Sequence, residues 1–226
     1  MPTTLPLPFK SNADFVEQEL LWVRARCRYL GVLREIEADA DTRVARRPVT
    51  VVGDEELTGT SEQRRRAASL KAIEEGLRRE LDSRMAITRQ AGIALGLDRV
   101  CDAHGLDAVE RSALLLALAP CIGTYWLDEM AAIGPHGFGL GSATVEIIAA
   151  FNEATFEQRL GFARYINGSS SLVKAGLVVV EPGRTAYPAD WPQATVTLTS
   201  KGFAAITGVE VADKATCPAC AQAVAS

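Results

Sequence analysis

"SLVKAGLVVVEPGRTAYPADWPQATVTLTSKGFAAITG", Ser171 to Gly208, changes its hydrophobic period repeatedly within one short stretch. "SLVKAG" suits a short helix, and the β-branched "LVVVE" that follows reads as a strand. The Pro-rich "PGRTAYPADWPQ" then interrupts, "ATVTLTS" reads as a second strand, and "KGFAAITG" closes with a helical turn. The predicted order is helix, strand, protruding loop, returning strand.

Upstream of Ser171 the pattern is helical throughout. "NGSSS" is a turn, and a helix is predicted from Thr155-x-x-Gln158, a capping-box spacing, through Ile166. "ATVEIIAAF" and "TYWLDEMAAI" are two further short helices, separated by the glycine-rich "GPHGFGLGS". Asp107-x-x-Glu110 opens "VERSALLLALAP", which is apolar almost all round and is therefore predicted to be the central buried helix. With the hairpin behind them, these segments follow the plan of a winged helix over about 105–208.

Residues 1–104 read as a helical N-terminal region. After a cap in Ser11-Asn12-Ala13-Asp14, Phe15, Leu20, Trp22, Val23, Cys27, Leu30, Leu33 and Ile36 recur at three- and four-residue steps, giving a helix over about 12–38. Pro48, Gly53 and Gly59 punctuate a connection with one short extended piece at "VTVV". Thr60-x-x-Gln63 caps a second long helix, about 60–92, with a narrow stripe of Leu70, Ile73, Leu77 and Leu81. Another turn or two of helix lies around Ile93 to Cys101, and residues 209–226 carry no amphipathic period and read as a tail or linker. The predicted fold is mainly α with a small β-wing, a long helical pair followed by a winged-helix domain.

Composition narrows the function. With 48% hydrophobic and 23% charged residues, the 226-residue chain is an ordinary globular one rather than a disordered one. Its longest apolar run, Ala113 to Gly123, is interrupted by Pro120 and falls well short of the roughly 20 residues of a membrane span. The N-terminus does not have the form of a signal peptide, so a cytoplasmic protein is expected. Five cysteines, three of them (Cys27, Cys101, Cys121) inside apolar patterns, fit a reducing compartment. Residues 1–100 carry 17 Lys+Arg against 16 Asp+Glu, and residues 101–226 carry 7 against 12, so the winged-helix half is acidic and its overall field repels a phosphate backbone.

No sequence motif supplies an engine. The loop from Gly134 to Ser142 holds four glycines, but Gly141 is followed by Ser142 and not by the Lys that a phosphate loop requires. It reads as a connector ending at Ser142 or Thr144 as an N-cap. His136 lies in it without a nearby partner, and His104 beside Asp102 is explained by a helix end. The chain has neither G-x-S-x-G nor H-E-x-x-H, so a non-enzyme without a cofactor is expected. Cys217-Pro-Ala-Cys220 has the spacing of one zinc knuckle but no second pair follows, which leaves an inert tail, half of a shared zinc site, or a redox pair.

Two families share parts of this pattern. The run "LVKAGLVVVE" with "VTLTSKGFAAI" resembles the recognition-to-wing stretch of MarR-type winged-helix regulators. Over about Phe15 to Gly208 the order of segments is similar to the winged-helix-containing N-terminal region of bacterial AAA+ ATPases associated with contractile injection systems. "VVGDEEL", "HGLDAVERSALLLALAPCIGTYW", "SATVEIIAAF" and "SSSLVKAGLVVVE" carry that second resemblance. It implies an accessory domain ahead of a hexameric ATPase module, or a stand-alone relative. The expected function is a non-catalytic adaptor that recognises a protein partner or substrate, with Tyr187 and Trp191 in the wing loop as contact residues. The alternative is a DNA-binding regulator that dimerises through its long helices and uses Arg159, Arg164, Lys174 and Arg184 on phosphates.

Overall fold

The computed structural model describes residues 6–45, 60–134, 143–162, 168–182 and 188–210. "VTVV" and most of the glycine-rich loop, with His136, lie outside the described residues. Two long helices come first, α1 (Asn12–Ala45) and α2 (Ser61–Gln90), followed by α3 (Gly96–His104), α4 (Ala108–Ile122) and α5 (Trp126–Ala131). A two-residue strand β1 (Ala143–Thr144) leads into α6 (Val145–Phe151) and α7 (Phe156–Gly161). Then come α8 (Ser171–Lys174), β2 (Val178–Glu181), a 3₁₀ helix (Pro188–Gln193), β3 (Thr195–Leu198) and α9 (Ser200–Thr207). The strands form one antiparallel sheet in the order β1-β3-β2, with Thr195 of the central strand opposite both Thr144 and Glu181. The chain is thus mainly α with a small three-stranded sheet.

Local chemistry sets the element ends. Thr60/Gln63, Asp107/Glu110 and Thr155/Gln158 all form reciprocal capping boxes. In the decisive stretch, the Ser170 hydroxyl accepts from Val173 N to start α8. Gly176 at φ +66° stops it, because Leu177 N then reaches back to Leu172 O at 3.0 Å. Thr199 caps α9 by accepting from Gly202 N at 2.9 Å, and its hydroxyl donates to Gly176 O at 2.8 Å. One residue therefore joins the end of the hairpin to its beginning.

The core is one apolar cluster reaching from Phe9 to Ile206, with α4 at its centre: Ser112 through Pro120 are all buried. α1 packs along α2 and also touches α4, α5, α6 and α9. Beyond that cluster, Val32, Ile36 and Ala67 form a small core of their own in the outer part of the α1–α2 pair. Asn12 ties three elements together: its side-chain oxygen accepts from Gly96 N at 2.7 Å and its amide donates to Ile206 O at 2.6 Å. This close approach requires glycine, since a Cβ on Gly96 would stand 2.3 Å from Ile206 O.

Four details differ from the sequence reading. α1 continues past residue 38 to Ala45, because Ala-rich, charged sequence sustains a helix after its apolar period ends. On α2, Ile73 is 51% exposed and Glu74 is buried instead, its carboxylate accepting from Trp22 Nε1 at 2.8 Å. α3 starts at Gly96 rather than Ile93, since Gly92 at φ +71° first reverses the chain. Ala143 and Thr144 pair with β3 as a strand rather than forming the start of the helix, while Thr144 is the N-cap of α6 as one of the two expected candidates.

Glu19 and Arg111 are matched to each other. Glu19, fully buried, accepts two bonds from Arg111 at 2.7 and 3.1 Å. Burial alone would lower the Arg111 pKa, but the hydrogen bonds and charge of Glu19 outweigh it and raise it. Burial pushes the Cys27 thiol up to about 12 and the Cys101 thiol to about 11. Both stay protonated and pack as small hydrophobes.

Candidate functional site

α6, α7 and the 3₁₀ turn of the wing face one another because each is fixed at its start. Thr144 Oγ1 accepts from Ile147 N at 3.2 Å, Thr155 caps α7, and Val145 N donates to Ala194 O at 2.9 Å, linking α6 to the end of the wing. Between them lies a groove of about 260 Å³ lined by Val145, Glu146, Ala149, Arg159, Leu160, Phe162, Trp191 and Pro192. Leu160 is 63% exposed at its edge, and Trp191 is half-buried in its wall. The stretch read as an open Pro-rich loop is thus partly a 3₁₀ helix packed on α6.

The charged groups of this groove neutralise each other. Arg159 Nη1 donates to both oxygens of Glu146 at 3.0 and 2.8 Å, and its Nε donates to Ala154 O at 3.3 Å. Outside the groove, Lys201 Nζ at the start of α9 donates to Ala175 O, the residue after α8. Leu160 is the large exposed apolar side chain of the groove and Trp191 is half-buried, Val145 and Ala149 of α6 form its buried floor, and Arg159 and Glu146 stay partly exposed but paired.

The model of the family described as "Winged helix domain, variant" matches residues 2–216. The chain belongs to this family. No curated protein and no solved structure matches the chain.

In this winged helix, two residues predicted for different partners meet in one place: Trp191, expected to contact protein, and Arg159, expected to contact DNA, line the same groove. Lys174 is exposed at the end of α8. Tyr187, Arg164 and Arg184 lie outside the described residues, as do Cys217 and Cys220. Glu146 and Leu160 escaped the sequence reading. Glu146 lies thirteen positions before Arg159, across a helix end and a capped turn, so no helical spacing signals the pair. Leu160 follows Arg159 on a helix too short to show a period. Among the described residues, no group of three His, Cys, Asp or Glu is placed to hold a metal ion, and no helix is long and apolar enough to cross a membrane.

Proposed function

We propose that this winged helix binds protein, as the non-catalytic adaptor or substrate-recognition region of a bacterial, cytoplasmic AAA+ ATPase or of a stand-alone relative. The observation that carries this reading is the groove beside the wing, whose cation Arg159 is held by Glu146 while Leu160 and Trp191 remain available. DNA affinity rests chiefly on cations that neutralise phosphates. The helix that runs directly into β2 is one turn long, with Lys174 as its charged residue, and the half of the chain around it is acidic. Those features favour protein over DNA. Tyr187 joins Trp191 as an aromatic contact on the same loop, since aromatic rings give contact area at low entropic cost.

The test has two arms. Fluorescence anisotropy of a labelled duplex at low salt is expected to stay flat; saturable binding that weakens steeply with salt would replace the adaptor reading with a DNA-binding regulator. Calorimetric titration with a AAA+ module encoded in the same frame or the adjacent gene is expected to show binding. Tyr187→Ala with Trp191→Ala should abolish it at unchanged thermal midpoint, whereas full binding by that double variant removes the wing as the contact.

A further inference from the structure

A second and larger groove, about 480 Å³, shares no lining residue with the one beside the wing. Its floor is one face of α1, from Ala13 through Val16, Glu17, Leu20 and Leu21 to Arg24, a run of about 16 Å by helical rise. The end of α4 and the start of α5 supply one wall, and α9 with Val209 the other. Leu21, Ile122, Tyr125 and Val209 are 40%, 50%, 50% and 57% exposed, so four large apolar side chains meet water around one depression. Clustered exposure of this kind marks an interaction surface. Trp126 is buried in the wall with its Nε1–H unpartnered among the described residues, and an indole has only that donor to offer.

Charge specifies the occupant. Of the two charged residues lining the groove, Arg24 is taken: its Nε lies 2.6 Å from Glu129 Oε1 and its guanidinium stacks 5.4 Å from the Tyr125 ring centre. Glu17 is exposed and makes no ion pair among the described residues. Asp128, two residues past Trp126, and Glu210, next to Val209, are exposed as well. An apolar floor about three helical turns long with carboxylates beside it complements a helix that is apolar on one face and cationic at its flank.

We propose that this groove docks a basic amphipathic helix of a partner protein, its apolar face on Leu21, Ile122, Tyr125 and Val209 and a Lys or Arg against Glu17. The proposal stands independently of the wing. Its test is isothermal titration of the full chain with a leucine–lysine amphipathic peptide of about three to four helical turns, with a leucine–glutamate peptide of the same pattern as control. The lysine peptide is expected to bind saturably, one per chain, and roughly tenfold or more tighter than the glutamate peptide. Ile122→Asp should abolish the binding at an unchanged thermal midpoint. Glu17→Lys should weaken it by about tenfold, whereas Glu75→Lys, the same charge change on an exposed position of α2, should leave it within about twofold. Trp191→Ala should not affect it, which separates this surface from the wing.

Three results would overturn the proposal. One is the absence of saturable binding. The second is an equal loss in Glu17→Lys and Glu75→Lys, which reduces the attraction to net charge. The third is self-association of the chain that Ile122→Asp removes, which makes the occupant a second copy.

Discussion

α2 and α4 both pack on α1, yet they are held in different ways. Over its thirty residues α2 buries Ala67, Glu74, Leu81, Met85 and Thr88, two of them polar. Its grip on α1 comes from side chains with directional contacts: Trp22 donates to Glu74, Arg78 stacks on Trp22, and Arg84 donates to Asp14 while lying over the Phe9 ring. α4 is half as long and buries a continuous stretch, with the Glu19–Arg111 pair as its main charged contact to α1. Area burial gives α4 its strength without fixing a single angle. Hydrogen bonds and stacking give α2 a defined position at little buried area.

That contrast is breakable. The largest effect is expected for Arg111→Met, which removes both hydrogen bonds to the buried Glu19 carboxylate and leaves it only the longer contact to Arg78 at 3.8 Å: about 3–5 kcal/mol of lost stability by urea unfolding. Leu115→Ala removes apolar volume at the centre of α4 and should cost about 2–5 kcal/mol. Trp22→Phe keeps a smaller aromatic ring but removes the donor to Glu74, so about 1–3 kcal/mol is expected. A repeat in high salt sharpens the comparison: screening should shrink the loss in Arg84→Met, which removes the partly exposed ion pair of α2 to Asp14, and leave the Leu115→Ala loss as it was. Equal salt response of the two would mean that α2 is held by burial after all.

The smallest effect concerns pH. Burial alone would raise the Glu129 pKa, but hydrogen bonds from Arg28 and Arg24 outweigh it and lower it. A carboxylate with a depressed folded pKa contributes stability above its unfolded value of about 4.3, lost as pH falls through the folded value. Acid unfolding followed by circular dichroism should therefore lose a shallow component in Glu129→Gln. An unchanged acid limb would show that this clamp of α5 on α1 adds nothing.

The same contrast explains what was legible in the sequence. α4 announced itself because ten neighbouring apolar or small residues leave no polar face, and its capping box lies within four residues. The hairpin of β2 and β3 was legible from β-branched runs around a Pro-rich loop. On α2, hydrophobicity placed Ile73 inside, but the Trp22 indole selects Glu74, and only the partner helix holds that information. β1 was invisible, since two residues carry no period and become a strand only through β3. At the candidate site, Trp191 was singled out from its type and loop, whereas Glu146, Arg159 and Leu160, which line the groove with it, come from two helices that no spacing in the sequence brings together.

The Asn12 amide bonds to Ile206, 194 positions away, and to Gly96. Asn12 thus fastens α9 to the start of α1 and to the start of α3 through two directional bonds. α9 is also a wall of the larger groove. The width of that groove is therefore linked to how firmly the first turn of α1 holds α9, and a ligand wedged there would register as altered amide exchange in both helices.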